Sequence, residues 1–418
     1  MNRMLDVYLY DIYAGELIQD DSGDLSFSYD SNYLDNNHLA ISVSMPLQEK
    51  PYKGKVVKSF FSGLLPDELA KHKLAKYLGV SEKNPFALLE IIGGECAGAL
   101  SLYPKGEKPP SDLESEFEIL SDEKLCEILN LLKRKPLLAG EHGVRLSLAG
   151  AQDKIPVSLV DGKVALVKGT SPTTHILKPL IEGAEDSVYN ELFCMRLAEH
   201  AGITVPKVEV KKSGNIPYFL VERYDRVRND VEGVKRLHQE DFCQALSIMP
   251  EMKYEKEGGP SIAKCQEVLQ KFSFQPAKDQ LEFLRRIIFN YIIGNSDAHG
   301  KNSSLLYSEN KIYFAPAYDL FSTAVYPNLA KEMAMKIGGR YDPEHVYIRH
   351  WYRIVEDTSA AKKNIEKIID SQSKLCVNAA IALKDELKNE GLESKIFDQI
   401  YGVINVRSEL LRNNQGET

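Results

Sequence analysis

The sequence has few cysteines, and their spacing matches no metal-binding motif. Six cysteines are spread over 418 residues, and no two of them form a Cys-x-x-Cys pair. They lie mostly among apolar neighbours, as buried free thiols of a reducing compartment do. The cysteine content therefore argues against a metal site built from thiolates.

Long apolar runs and an excess of basic residues are also missing. No run approaches the ~18 apolar residues of a membrane span, and the N-terminus has no apolar signal-peptide core. We therefore expect a soluble, cytoplasmic protein with no membrane partner. Lysine and arginine total 52 against 60 acidic residues, which gives a net charge of −8. Such a balance argues against strong, direct nucleic-acid binding by the whole surface.

The rest of the composition is that of a globular protein. Hydrophobic residues make up 43% and charged residues 27%, which excludes wholesale disorder, and 418 residues are enough for two or three domains. Strand-like alternation dominates before about residue 226, and helical periodicity dominates after it. The helices predicted in the second half are 240–246, 261–272, 280–293, 360–369, 374–388 and 394–411.

The most informative segment is the polar loop that follows the predicted helix 280–293. In this loop Asp297 stands five residues before Asn302, and Asp319 follows after a predicted β-hairpin. Kinases place a catalytic carboxylate and two metal ligands at this spacing. Because phosphoryl transfer needs mainly positioned charges, the trio predicts a phosphotransfer site. The alternative is an Asx-rich turn whose side chains satisfy only backbone groups.

Two features nearer the N-terminus would complete such a site. The small-residue turn Ser147–Lys154 leads into a predicted hairpin, whose backbone N–H groups could fold over nucleotide phosphates. Lys178 lies near the end of a predicted strand, thirteen residues before Glu191 on the predicted helix 187–201. Kinases use a strand lysine, held by a helix glutamate, to grip ATP phosphates. The alternatives are an ordinary turn, a solvated lysine and a surface glutamate.

Together these features predict an α+β, bilobal, protein-kinase-like fold. A strand-rich N-terminal lobe carries an extra α/β subdomain, and the C-terminal lobe is all helical. The predicted boundaries are 1–105 for the N-terminal α/β subdomain, 123–226 for the kinase N-lobe with phosphate-binding hairpin and hinge, and 227–418 for the helical C-lobe with the catalytic loop. The far end of the strand before residue 226 would offer hinge backbone groups to an adenine, and Asp225 would meet a ribose hydroxyl.

Seven short motifs, in this order, resemble those of the HipA family, the serine/threonine-kinase toxins of bacterial type II toxin–antitoxin modules. The motifs are Phe60–Asp67, Ser147–Lys154, Pro172–Lys178, Val221–Arg226, Gln239–Gln244, Lys253–Pro260 and Asp297–Asn302. The resemblance implies an ATP- and Mg²⁺-dependent protein kinase, whose target in the best-known members is an aminoacyl-tRNA synthetase of the glutamyl type. Blocking that enzyme starves translation and leads to growth arrest or persistence.

The resemblance also implies partners. A small helix-turn-helix antitoxin (HipB-like) would neutralise the kinase and bind operator DNA, with the toxin acting as co-repressor. The low basic content agrees with leaving most DNA contact to that antitoxin.

Roles for individual residues follow from the same resemblance. Asp297 would be the catalytic aspartate, and Ser147 would be autophosphorylated, which would repel ATP and switch the kinase off. Asn302 and Asp319 would hold Mg²⁺, and Glu191 would support Lys178. The residues implied to contact the nucleotide or to line the catalytic loop are Ala149, Gly150, Ala151, Gln152, Lys154, Lys178, Glu222, Tyr224, Asp225, His299 and Lys301.

Differences from eukaryotic protein kinases leave rival functions open. The chain has no Gly-x-Gly-x-x-Gly and no His-Arg before Asp297, and Tyr-Asp-Leu replaces Asp-Phe-Gly. The pattern Asp-Ala-His-x-x-Asn also occurs in phosphoinositide-kinase-like enzymes, so a lipid or small-molecule kinase is one alternative, although no membrane-facing basic or amphipathic surface is visible. A catalytically weak co-repressor subunit is the second. A metal-dependent hydrolase using Asp297, His299 and Asp319 is the third.

Overall fold

The protein is represented by a computed structural model, which describes residues 2–109, 116–132, 147–150, 152–169, 171–229 and 233–413. The chain divides into two compact units. The strand-rich unit comprises Met1–Pro179, Lys211–Lys253 and Ser304–Ala315, and the helical unit comprises Leu180–Val210, Tyr254–Ser303 and Pro316–Thr418. The boundaries predicted from the sequence differ from this division and stay a prediction.

Strands and helices are numbered here in chain order over the described ranges. The strands are β1 (Arg3–Leu9), β2 (Ile12–Gln19), β3 (Leu25–Tyr29), β4 (Tyr52–Lys53), β5 (Leu100–Pro104), β6 (Glu116–Ile119), β7 (Ile155–Val160), β8 (Lys163–Lys168), β9 (His175–Pro179), β10 (Val208–Ser213), β11 (Ile216–Glu222), β12 (Arg226–Asn229), β13 (Gly233–Arg236), β14 (His238–Asp241), β15 (Ser304–Ser308) and β16 (Lys311–Phe314). The helices are α1 (Ser31–Asp35), α2 (Lys55–Gly63), α3 (Glu68–Leu78), α4 (Pro85–Ile92), α5 (Asp122–Leu132), α6 (Ser187–His200), α7 (Phe242–Ala245), α8 (Ile262–Phe272), α9 (Pro276–Ile293), α10 (Ile348–Tyr352), α11 (Ser359–Asn389) and α12 (Ile396–Asn413).

The first sheet of the strand-rich unit has the order β4-β3-β2-β1-β5, with antiparallel neighbours. Helix α2 packs against β3 and β4, and α4 packs against β5. The apolar residues of β3 and of these helices form one buried core that includes Phe27, Phe60, Phe61 and Phe86. Alternate positions of β3 are buried, as expected for a strand with one face on a core.

The second sheet has the order β10-β11-β9-β7-β8-β6 and is covered by α5. The sequence predicted the β7–β8 hairpin from an Asp-Gly turn, and the structure confirms it. Asp161 and Gly162 both have left-handed backbones, with φ of 50° and 76°. Two consecutive left-handed residues form the tight turn that matches the twist of antiparallel strands. The hairpin places the Ser147–Lys154 segment directly before β7.

The region after residue 226, predicted to be all helical apart from one hairpin, contains more strands than that. Strands β12 and β13 pair with each other, and β14 joins the predicted hairpin β15–β16 in a three-stranded sheet. The sequence missed β14 because it is only four residues long and runs into the capping box of α7. There the Asp241 side chain accepts from the Gln244 backbone, and the Gln244 side chain accepts from the Asp241 backbone.

The helical unit is built on α9, which contacts α8, α11 and α12. Helix α11 is continuous over 31 residues, so the two helices predicted at 360–369 and 374–388 are one. Between the two predicted helices, Gln372 and Ser373 are buried, and the Gln372 side-chain amide donates to the Arg285 carbonyl at 2.8 Å. Among the described residues, none of the helices combines the length and apolar character that crossing a membrane requires.

A buried carboxylate in the strand-rich unit joins β14 to the segment after α1. Glu240 is 1% exposed and accepts from the Ser42 hydroxyl at 2.5 Å, the Val43 backbone N–H at 2.9 Å and the Tyr307 hydroxyl. Burial raises the pKa of Glu240 from 4.5 to about 7, although these hydrogen bonds act in the opposite direction.

This raised pKa predicts a pH dependence of stability. The folded state binds a proton at Glu240 more tightly than the unfolded state does, so the free energy of unfolding should fall as pH rises from about 4.5 to about 7, by roughly 3 kcal/mol at most. Urea unfolding of Glu240→Gln between pH 5 and pH 8 should show a smaller pH dependence than the wild type. The exposed Glu127→Gln is the control, and equal slopes for all three proteins would contradict the expectation.

Candidate functional site

The predicted catalytic loop starts where α9 ends, within the helical unit. Gly294 ends the helix with φ of 69°, a left-handed conformation that favours glycine. A Cβ atom at this position would come within 2.6 Å of the Ala324 side chain, so only glycine fits. The chain then turns at once, because the Asn295 side-chain oxygen accepts from the Asp297 backbone N–H at 3.0 Å. Asn295 therefore shapes the loop, as an Asx turn does.

The Asp297 carboxylate lies at the surface of this loop, with its side chain 51% exposed. It accepts a hydrogen bond from the Tyr254 hydroxyl. The Nε2 atom of His299 stands 3.9 Å from the same carboxylate oxygen, and the rings of Tyr254 and His299 pack edge to face with centroids 5.2 Å apart. A half-exposed carboxylate that already accepts one hydroxyl can also accept an incoming hydroxyl, which is the contact a phosphate acceptor needs.

The two predicted metal ligands, Asn302 and Asp319, line one cleft of the helical unit. The Asn302 amide nitrogen donates to the Asp297 carbonyl at 2.8 Å, so its amide oxygen is the atom left to face a cation. Asp319 is partly exposed and has a left-handed backbone with φ of 53°, which Asp tolerates better than most residues. One amide oxygen and one carboxylate are hard ligands of the kind that Mg²⁺ prefers. The residues present therefore fit Mg²⁺.

The residues that line the cleft all belong to the helical unit. They include the polar residues His299, Asn302 and Asp319 and the apolar residues Phe283 and Ile287 of α9. The mixture of an apolar wall and a few convergent polar groups is typical of ligand-binding clefts. The structure thus brings Asp297, Asn302 and Asp319 into one small region.

The other two predicted loop residues are buried rather than exposed to solvent. His299 is 5% exposed and Lys301 is 6% exposed. The Lys301 carbonyl accepts from the Tyr318 hydroxyl at 2.7 Å, which ties the loop to the residue before Asp319. Lys301 therefore holds the two halves of the site together through its backbone.

In the strand-rich unit, the predicted phosphate-binding turn folds back on itself. Lys154 is 7% exposed, and its ammonium group donates to the Ala149 carbonyl at 2.9 Å. Gly150 has φ of 112°, and a Cβ atom there would come within 2.5 Å of the Lys154 amine. The Gln152 side chain donates to the Pro179 carbonyl at 3.3 Å. Ala151 lies outside the described residues.

Ser147, the predicted autophosphorylation site, is fully buried in this conformation. Its hydroxyl donates to the Leu64 carbonyl at 2.7 Å, and its backbone N–H donates to the Glu95 carbonyl at 2.8 Å. A kinase could reach this hydroxyl only after the turn had left Leu64.

Lys178 and Glu191, the predicted ion pair, belong to different units. Lys178 lies on β9 opposite Phe219 of β11, is 3% exposed, and has its amine 5.7 Å from the Phe219 ring centroid. Glu191 lies on α6 in the helical unit and is 4% exposed. Neither is the solvated surface residue of the alternative interpretation. Their pairing stays a prediction.

The predicted hinge residues lie at and beyond the end of β11. Glu222 is the last residue of the strand, pairs with His175 of β9 and is partly exposed. Tyr224 is also partly exposed, and its hydroxyl donates to the Gln239 side chain. Both residues keep an exposed face, and their contact with an adenine stays a prediction.

Asp225 lies in a buried ion-pair network, and its contact with a ribose stays a prediction. The side chain is 2% exposed and accepts from Arg223 at 3.0 and 2.9 Å, from the Gly98 backbone N–H at 2.8 Å and from Gln239 at 3.1 Å. Burial alone would raise the pKa of Asp225, but the guanidinium groups of Arg223 and Arg226 lower it well below its usual range. Three of these hydrogen bonds are accepted by Oδ2 and one by Oδ1, so Asp225 is held in place by buried charge pairing.

The sequence did not single out the second acid of this network, Glu95. Its carboxylate accepts from Arg223 at 3.1 Å, from Arg226 at 2.6 Å and from the Thr173 hydroxyl at 2.9 Å. Tyr254 was also missed as a contact of Asp297, although it lies within a noted motif. No periodicity marks either residue, because their partners are distant in sequence.

Two models of known protein families match the sequence. Residues 5–103 match the family model of the HipA N-terminal domain, and residues 146–380 match that of the HipA-like C-terminal domain. The chain belongs to the HipA family. The HipA relationship that the seven motifs predicted is therefore confirmed, and it extends over both halves of the protein.

Individual HipA relatives cover most of the chain. The Y4mE protein of Sinorhizobium fredii is 42% identical over 377 residues, 88% of this chain and 90% of that protein. The serine/threonine-protein kinase toxin HipA of Shewanella oneidensis is 30% identical over 356 residues, 82% of this chain and 80% of that protein.

A solved structure of the S. oneidensis HipA, HipB and operator DNA complex contains a chain similar in fold to this one. The match has a TM-score of 0.82 and 25% identity, and it covers 98% of this chain and 97% of that chain. It confirms the predicted α+β, protein-kinase-like fold class of the HipA family.

Proposed function

We propose that this chain is a serine/threonine-protein kinase that transfers the γ-phosphate of ATP to a hydroxyl group of a protein target. The observation that carries the proposal is that Asn302 and Asp319 line one cleft of the helical unit, while the Asn302 side-chain amide donates to the backbone carbonyl of Asp297. Membership of the HipA family supports it, because a relative with 30% identity over most of its length bears the name of such a kinase.

Within this proposal, Asp297 orients the acceptor hydroxyl and receives its proton. Asn302 and Asp319 would hold Mg²⁺, which when bound neutralises charge on the phosphates. Lys178 grips the phosphates and Glu191 supports it, the roles that a strand lysine and a helix glutamate have in kinases.

The remaining residues have supporting roles in the same proposal. The backbone N–H groups of the turn Ser147–Lys154 cradle phosphate oxygens. Glu222 and Tyr224 contact the adenine, while His299 and Lys301 shape the catalytic loop. Asp225, which is held by its ion pairs with Arg223, contacts the ribose.

The biological role we propose is that of a toxin, controlled by a small helix-turn-helix antitoxin. The support is the similar S. oneidensis chain, whose structure is a toxin–antitoxin complex on operator DNA. Such an antitoxin would carry most of the DNA contact, since this chain has a net charge of −8. The target would be a cytoplasmic aminoacyl-tRNA synthetase of the glutamyl type, and its phosphorylation would arrest translation and cause persistence.

Transfer of labelled γ-phosphate from ATP tests the enzymatic part of the proposal. The purified chain should label itself or a protein from a cell extract, and labelling should require Mg²⁺. Label found in lipid instead would favour the phosphoinositide-kinase-like alternative. No transfer to any acceptor would favour a catalytically weak co-repressor and would overturn the proposal.

Self-inactivation by autophosphorylation makes a separate prediction for Ser147. Adding about two negative charges to this buried hydroxyl would prevent the turn from returning to Leu64 and would repel ATP. After incubation of the wild type with ATP, mass spectrometry should find phosphate on Ser147, and activity should decline in parallel. The Ser147→Ala protein should stay active for longer. Phosphate found only at other positions would contradict this expectation.

A further inference from the structure

The phosphate-binding turn, Ser147–Lys154, is attached to the N-terminal α/β segment of residues 2–104 through several independent contacts. The Ser147 hydroxyl donates to the Leu64 carbonyl at 2.7 Å. On the far side of the turn, Pro66 forms a parallel β-bridge with Gly150, and the Asp67 backbone N–H donates to the Gly150 carbonyl at 3.1 Å. The segment 64–67 therefore runs alongside the first half of the turn and contacts it at Ser147 and Gly150.

A side chain of the turn also enters the N-terminal core. Leu148 is 5% exposed and belongs to the buried cluster formed by β1–β5 and the helices packed on them. Among the described residues, the other fully buried members of that cluster all lie before residue 104. The apolar residues that bury Leu148 thus belong to the N-terminal segment and not to the β7–β8 hairpin that follows the turn.

Charged pairs extend the same attachment. The Lys73 amine on α3 lies 3.4 Å from the carboxylate of Asp153, in the second half of the turn. The carboxylate of Asp67 lies 3.6 Å from the Lys253 amine, and both side chains are 5% exposed. Breaking such a buried pair is costly, because removing either partner leaves a buried charge without compensation.

We infer that Leu148, together with the segment 64–67, positions the phosphate-binding turn, so that the N-terminal α/β segment determines nucleotide affinity. This inference rests on the proposed function, because it assumes that the turn contacts the phosphates of ATP. A cradle of backbone N–H groups binds an anion only when the groups point to one place. Leu148 and the Leu64 and Asp67 backbone contacts fix residues 147–150, the first half of the turn.

The consequence can be expressed as a change in population. A turn without its anchor samples several conformations, and the apparent Kd for ATP rises in inverse proportion to the fraction that can bind. If the turn has the ATP-binding conformation in only about one tenth of the Leu148→Ala molecules, the Kd for MgATP rises about 10-fold. The rate at saturating ATP should change by less than about 3-fold, because ATP selects the competent conformation.

The test compares Leu148→Ala with Leu25→Ala in the full-length chain. Leu25 lies in the same buried cluster and is 6% exposed, so the two changes remove the same atoms from the same core, but only one is in the turn. The Kd for MgATP is measured by isothermal titration calorimetry at a temperature where circular dichroism shows both variants to be folded. Leu148→Met serves as the conservative rescue, since it restores most of the volume.

We expect a raised Kd for Leu148→Ala, a Kd near wild type for Leu25→Ala, and recovery in Leu148→Met. Equal Kd values for the two alanine variants would overturn the inference while leaving the kinase proposal intact. A wild type that binds no MgATP would instead overturn the proposed function. If either alanine variant fails to fold, Leu148→Val and Leu25→Val give the same comparison with a smaller cavity.

Discussion

Asp297→Asn should lower the rate of γ-phosphate transfer by about 10³-fold or more, the usual effect of removing a central group in phosphoryl transfer. The change keeps the shape of the side chain, and the Asn oxygen can still accept the hydrogen bond from Tyr254. It removes the negative charge that would attract the acceptor proton. The kinase rate with saturating ATP and Mg²⁺ is the quantity to measure, with labelled phosphate counted in the protein fraction.

Two comparisons make the result for Asp297 specific. Asp385→Asn, at an exposed position on α11, controls for the loss of one surface carboxylate and should act like the wild type. ATP binding by Asp297→Asn should stay close to that of the wild type, because the proposed role of Asp297 concerns the acceptor. A variant that retains near-wild-type transfer would remove Asp297 from the catalytic role, and with it the interpretation of the loop.

Asp319→Asn should have the second largest effect, a loss of about 10²-fold or more at a fixed Mg²⁺ concentration. The replacement keeps one oxygen ligand but removes the charge that binds a hard cation. Asparagine also tolerates the left-handed backbone at this position, where φ is 53°, so the fold should be retained. Raising the Mg²⁺ concentration should therefore recover part of the activity, and a Mg²⁺ titration of the transfer rate is the measurement.

The control for Asp319 is another aspartate with the same backbone conformation. Asp161, in the β7–β8 turn, has φ of 50° and an exposed side chain. Asp161→Asn should leave both the rate and the Mg²⁺ requirement unchanged. An Asp319→Asn protein with reduced activity but an unaltered Mg²⁺ requirement would argue that Asp319 is not a metal ligand.

The catalytic loop could be predicted because its geometry is local. Asp297 and Asn302 are five residues apart, and the bond from the Asn302 amide to the Asp297 carbonyl closes the loop within that distance. Gly294 marks the end of α9 in the sequence as it does in the structure. The β7–β8 hairpin was predictable for the same reason, since Asp161 and Gly162 alone supply its turn. Short-range steric and hydrogen-bonding preferences are sufficient for such features.

The continuity of α11 and the ion-pair partners of Asp225 were less predictable from the sequence. The sequence prediction divided α11 at residues 370–373, but Gln372 donates to a backbone carbonyl of α9, a contact that the local pattern does not reveal. Asp225 looked available at the end of a strand. Its oxygens are instead taken by Arg223 and by the Gly98 backbone, which is 127 positions away in sequence.

The local order of residue types settled the family, the α+β class and the spacing of Asp297, Asn302 and Asp319, because each depends on short-range patterns. Packing settled which polar groups are exposed and which are already bonded. It left Asp297 half exposed but buried Ser147 against Leu64, and it placed Leu148 in the N-terminal core. Those outcomes depend on contacts between residues about a hundred positions apart in the sequence. Such contacts form because apolar surface is buried and buried charges are paired, and sequence periodicity does not reveal them.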